Sequence, residues 1–295
     1  MAALFSRRTR RITVAVATVV LFLVLAGVTF QSVSNAVERR RNPHPGRLVD
    51  IGGHQLHLYC VGKGAPVVVL ESPAGGVSTS WAWVQDDLRS IARVCSYDRS
   101  GLAWSEAGDN RFAASQVPDE LHTLLEQAGE RGPFVFAGQE IGAAFARLYA
   151  VRYPQDVRAL VLVDDPAEGS VSEPVTSART WPWFARVGLL RITRSLSRRA
   201  HGLPSTASSA AQAFLNRPDH LTRSAAEIEA LRTIASIEGD AEIDPAIAVS
   251  RVTVGRPSAP VILASSDQAA MVTHALRSAV ERARVGRVAR PSPER

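Results

Sequence analysis

The residues with the clearest chemical potential sit in one short stretch, Phe134-Val135-Phe136-Ala137-Gly138-Gln139-Glu140-Ile141-Gly142-Ala143-Ala144. Its leading apolar residues read as a short buried strand, and the small residues running on toward Tyr153 read as a helix. A strand entering a helix through G-x-x-x-G has the shape of a nucleophile elbow, a strained turn that lifts one side chain above a sheet. The apex side chain here is Glu140, where most such turns carry serine. A carboxylate can itself act as a nucleophile, and aspartate does so on some scaffolds. Glutamate reaches about 1.5 Å further than aspartate, one C–C bond, and misplacement near 1 Å can cost about 10²-fold in rate. Acyl transfer at such an apex also needs a histidine base, an acid to orient it and backbone N–H donors for the oxyanion.

The elements that must hold this apex follow in order along the chain. Leu48–Ile51 and Gln55–Cys60 read as a hairpin around Gly52-Gly53. Pro66–Leu70, Arg93–Asp98, Phe134–Ala137, Val157–Val163 and Pro260–Ala264 read as apolar strands. Between them Ser80–Arg89, Val117–Ala128 and the elbow helix have helical spacing, as does Ala269–Arg284 near the C-terminus. Strands that are nearly all apolar and alternate with helices predict an α/β fold, a mostly parallel sheet covered on both faces.

Four motifs carry a resemblance to a known family. Val69-Leu70-Glu71-x-x-x-Gly75-Gly76-x-x-x-x-Trp81, Arg93-Val94-Cys95-x-Tyr97-Asp98-Arg99-x-Gly101, Gly138-x-x-x-Gly142 and Leu160-Val161-Leu162-Val163-Asp164 stand in the order and spacing of the α/β-hydrolase family, in particular its membrane-anchored esterase, lipase or peptidase-like branch. The resemblance implies a core over residues 47–166 and 251–295, with a helical lid over 167–250. It implies oxyanion donors at the amides of Ala74 and Ile141, either of which could hydrogen-bond Glu140, and an acid at Asp267. The loop that carries the family's catalytic histidine has no counterpart here. Past Asp267 stands His274 alone, at a position that reads as a helix surface, so the last strand is either deleted or lies beyond the end of the chain. Asp164 and Asp165, at the end of a strand, are alternative acids. In the family's strand order the strands carrying Cys60 and Cys95 are neighbours, which implies either a disulfide or two buried thiols.

Three functions are compatible with this pattern. One is a catalytically degenerate relative that keeps its cleft for a small molecule or lipid. Another is an active hydrolase of esters, amides or related bonds using Glu140 or another nucleophile. The last is a module that docks on a lipid surface through the lid segment Trp181–Ile192, which mixes aromatics, aliphatics and arginines.

Residues 12–30 form an uncharged, mostly apolar run that spans about 28 Å as a helix, near the thickness of a bilayer core. Arg7, Arg8, Arg10 and Arg11 precede it, so residues 1–11 are expected in the cytoplasm and the folded part outside, single-pass. A cleavable signal ending near Ser34-Asn35-Ala36 is the competing reading. Residues 31–46, polar with two prolines, read as a linker. The net charge is +6 with a pI near 10.1, yet the cations are almost all dispersed arginines, Lys63 being the only lysine. No basic stripe interleaved with aromatics appears, which argues against nucleic acid. The two cysteines build no zinc or redox spacing, and no cofactor or metal is expected.

Overall fold

The computed structural model describes residues 7–108, 112–165, 176–238, 242–254 and 265–288. Its sheet is built from β1 (Arg47–Asp50), β2 (Gln55–Val61), β3 (Val67–Glu71), β4 (Arg93–Tyr97), β5 (Phe134–Gln139), β6 (Val157–Val163) and β7 (Ala248–Val252). The strand order is β1-β2-β4-β3-β5-β6-β7. β1 and β2 run antiparallel to their neighbours, and the other pairings are parallel. The central strands β3 and β5 are buried at every residue. That two-sided burial is why their sequences are apolar runs rather than alternations.

Helices α2 (Ala82–Leu88) and α9 (Ser266–Val288) cover one face. Ala269, Val272, Leu276, Ala279, Val280 and Ala283 of α9 pack there with Val68, Val135 and Val161. Helices α3 (Val117–Gln127) and α4 (Ile141–Arg152) cover the other, where Leu121, Leu124 and Tyr149 meet Phe136 and Leu160. Cys60 and Cys95 face each other in the β2–β4 register and form a disulfide, with Cα atoms 4.0 Å apart. This is well under the roughly 7 Å beyond which a bridge cannot close.

Two boundaries differ from the sequence-based expectation. The stretch 31–46, expected as a linker, is helical as far as Arg41, because α1 runs unbroken from Arg7 to Arg41. Gln31, Asn35 and Glu38 recur at helical spacing on one face, and that face finds partners in the lid. Gln31 Nε2 donates to the Asn216 carbonyl (2.8 Å), and Arg191 binds Gln31, Asn35 and Glu38 together. The second difference is β7. Residues 248–252 already belong to the sheet beside β6, so the lid expected over 167–250 ends before them. The expected strand at 260–264 lies outside the described residues.

The lid contributes α5 (Trp181–Arg186), α6 (Leu189–Thr193), α7 (Ser205–Phe214) and α8 (Pro218–Glu238). Their apolar residues, including Trp181, Leu221 and Ile228, share one cluster with Ala74, Ile141 and Phe145 of the core. The lid is therefore packed down over the start of α4.

Candidate active site

Glu140 caps α4 at φ 51°, ψ −117°, a left-handed conformation that costs a non-glycine residue roughly 1–3 kcal/mol. The surrounding backbone holds it there. The Glu140 amide donates to the Val163 carbonyl (3.0 Å), and the Ala143 amide donates to the Glu140 carbonyl (2.9 Å). The flanking glycines are obligatory for packing. A Cβ on Gly138 would stand 2.2 Å from the Gly142 carbonyl oxygen, and one on Gly142 would stand 2.4 Å from the Glu71 carbonyl oxygen. The G-x-x-x-G spacing thus records a close approach of β5, the turn and β3, and the apex is an elbow in geometry.

Burial pushes the Glu140 carboxyl up to about 7, and the charge of Asp164 adds to the push. Asp164 follows β6, also at positive φ (48°). Burial raises it as well, against a bond from the Val254 amide to its Oδ1 (3.0 Å). Among the described residues no hydrogen bond reaches the Glu140 carboxylate. The expected bonds from Ala74 and Ile141 are absent there, although both residues are buried.

All seven histidines of the chain lie among the described residues, and none bonds to Glu140. His274 is exposed on α9, and His54 lies 4.0 Å from Glu120. His57 Nδ1 meets Asp98 Oδ2 at 2.8 Å, and Ser78 Oγ lies 3.3 Å from the same nitrogen. The residue types are those of a charge-relay triad, but both oxygens address one ring nitrogen while Nε2 is held by the Pro45 carbonyl. That group is a buried structural knot. Burial opposes the His57 charge, and the Asp98 carboxylate more than reverses it. Asp267 is exposed in the first turn of α9 and shares no hydrogen bond with Glu140. The acid beside the apex is Asp164, while Asp165 pairs with Arg147 of α4 (3.1 Å).

The most densely bonded group near the apex was quoted in the motifs without an assigned role. Arg99, at the end of β4, donates through Nε and Nη2 to both oxygens of Glu227 (2.7 and 2.9 Å). It also donates to the Ser72 and Pro73 carbonyls (2.7 and 2.9 Å) and lies 3.4 Å from Glu71. Glu227 comes from α8 and accepts the Gly75 amide on its Oε2 (2.9 Å). His220, one α8 turn-pair earlier, donates from Nε2 to the Gly75 carbonyl (3.0 Å) and accepts the Ala103 amide on Nδ1 (3.2 Å). Burial drives His220 down to about 4, so it is neutral. The Arg99 guanidinium overcomes burial and holds Glu227 below the usual carboxylate range. Glu71 accepts the Tyr97 hydroxyl (2.8 Å), yet burial lifts it to about 7 against the pull of Arg99. This clamp locks the lid onto the loop Ser72–Gly76. Glu71 was visible as the one charge ending an apolar strand, whereas Glu227 had no sequence signal because its partner is 128 residues away.

For metal binding, Cys60, Cys95 and Glu130 are the group among the described residues with ligand atoms close enough to share an ion, and both sulfurs are consumed by the disulfide.

This fold agrees with the comparisons to known proteins. The alpha/beta hydrolase fold family matches residues 66–226, more than half of the chain. The chain belongs to that family. An AB hydrolase superfamily protein of Gibberella zeae is 32% identical over 117 residues, covering 38% of this chain and 36% of its own length. An uncharacterized vacuolar membrane protein of Saccharomyces cerevisiae is 27% identical over 131 residues, covering 38% of this chain. The chain spans about a fifth of the length of that relative. Among solved structures, the Cif epoxide hydrolase from Acinetobacter nosocomialis superposes with a TM-score of 0.63 at 9% identity, covering 86% of this chain and 96% of that one. At this identity the likeness speaks to the fold alone.

Proposed function

We propose that this chain is a membrane-tethered α/β-hydrolase-fold protein that no longer turns over acyl substrates and uses its lid-covered cleft to bind a small molecule or lipid. The observation that carries the reading is the apex carboxyl, which burial and the charge of Asp164 raise to about 7 and to which no imidazole is bonded. A second carboxylate near an oxyanion hole opposes the negative charge that acyl transfer develops there. The clamp of Arg99 and Glu227 supports the same reading, because it fixes the loop that would supply the oxyanion donors to the lid. Tethering rests on the exposed apolar run of α1, whose mean hydropathy reaches 2.6, and on similarity to a vacuolar membrane protein. The arginines before that run favour a cytoplasmic N-terminus, and the disulfide suits an oxidising compartment.

The test is hydrolysis of short-chain nitrophenyl esters by the full chain in detergent. The expected rate equals the blank. Turnover abolished by Glu140→Gln would replace this reading with that of an active hydrolase. One observation favours that alternative: a pair of carboxyls with raised pKa values is also how acid–base sites are built.

A further inference from the structure

The lid carries an apolar face that no described residue covers. Trp183 and Ile192 are each 69% exposed, Phe184 is 44% and Leu189 42%. All four lie on α5 and α6, whose opposite sides bury Trp181, Ala185 and Leu190 in the core cluster. These two short helices are therefore amphipathic, with a second apolar surface turned outward.

The level at which they meet α1 identifies what covers that surface. A Cβ on Gly27 would stand 2.4 Å from the Val187 carbonyl oxygen, and one on Gly188 would stand 3.0 Å from the Phe30 ring. The α5–α6 corner is thus seated on the last apolar turns of α1, where the run 12–30 ends and Gln31 begins the polar stripe. Successive residues rise about 1.5 Å, so Gly27 lies about 4–5 Å inside the hydrocarbon edge if the run spans the bilayer. Arginines ring the exposed face. Arg186 lies over the Trp183 ring (4.8 Å), and the exposed Arg194 and Arg198 follow α6. Aromatic residues flanked by arginine form the composition of a membrane–water boundary. Arginine also suits anionic headgroups.

We infer that α5 and α6 are inserted into the leaflet from which α1 emerges, so that Trp183, Phe184, Leu189 and Ile192 sit at the boundary of hydrocarbon and headgroups. The lid would then be a second membrane contact, and its clamp to the oxyanion loop would hold the cleft at the bilayer surface. This inference rests on the reading of α1 as a membrane span.

The experiment is spin-label accessibility on the full chain in nanodiscs containing anionic lipid. Three single variants are labelled, Ile192→Cys, Leu21→Cys and Gln127→Cys, the native cysteines being held in their disulfide. Expected is greater access for oxygen than for a nickel chelate at Ile192, as at Leu21 within α1, with the opposite order at Gln127 on α3. Chelate access at Ile192 with Leu21 still in lipid would overturn the inference and leave the span intact. Shielding of Ile192 from both reagents, the signature of a second copy packed on the lid, would also overturn it. Chelate access at Leu21 would remove the span itself and the inference with it.

Discussion

Two glutamates, the buried Glu227 of the lid and the half-buried Glu140 of the apex, have been treated in opposite ways. Glu227 reaches in from the lid and meets a guanidinium through both oxygens and a backbone amide through one. Glu140 sits on the strained apex, where burial and the charge of Asp164 both raise its carboxyl. Both pay for desolvation, which is several kcal/mol for an unpaired ion. Arg99 offsets that cost for Glu227 and keeps it ionised, whereas Asp164 adds to the cost for Glu140 and drives it toward the neutral acid. The comparison teaches that the fold has invested its charge pairing in closing the lid. The apex keeps the backbone shape of an elbow, and among the described residues no hydrogen bond reaches its carboxylate.

Removing Arg99 should have the largest effect on that contrast. Arg99→Ala leaves Glu227 and Glu71 buried without their cation, and breaking such a group costs roughly 3–5 kcal/mol. Chemical denaturation near pH 8 should show this loss. It should shrink toward pH 5, because the orphaned carboxyls then fold as neutral acids. A loss that does not vary with pH would mean that the clamp acts through packing alone.

Glu140→Gln should come next, with the opposite sign. A folded pKa near 7 against about 4.5 unfolded means that the folded state holds the extra proton between those values. Stability therefore falls as pH rises through that window, by about 3 kcal/mol once Glu140 is fully ionised. The glutamine variant escapes this penalty, so its melting temperature should exceed that of the parent at pH 8 and match it at pH 4. Equal melting temperatures at pH 8 would show that the carboxyl is solvated and the contrast with Glu227 false.

Gly142→Ala probes the shape of the apex rather than its charge. The added methyl would press on the Glu71 and Ser72 carbonyls, and overpacking of this kind costs roughly 1–3 kcal/mol. Asp267→Asn should do least. An exposed residue with no bond to the apex should leave stability within about 0.5 kcal/mol and the titration of Glu140 unmoved. A shift in that titration would bring Asp267 back to the site.

The sheet was legible because parallel strands buried on both faces must be apolar throughout, and β3 to β6 announced themselves in that way, while β1 and β2 read as a hairpin. The elbow was legible because only glycine tolerates the contacts at 138 and 142. β7 was missed because Ala248-Val249-Ser250-Arg251-Val252 sits at the sheet edge, half exposed, with no apolar run to mark it. The helical state of residues 31–41 was hidden for a related reason. Their polar stripe looks like a solvated linker until Arg191, more than 150 residues away, is seen to bind it. The clamp shows the same limit: Glu71 and Arg99 stood in the motifs, but Glu227, the partner of Arg99 on α8, could only be found in three dimensions.

The central claim is that the apex retains the geometry of a nucleophile elbow and lacks a proton acceptor. Ester hydrolysis by the purified full-length Glu140→Ser variant at pH 8 tests it most directly. That substitution restores the usual nucleophile to a turn already in the required conformation. No release of nitrophenol above the blank is expected. Sustained turnover would mean that a base does reach the apex, and would contradict the account.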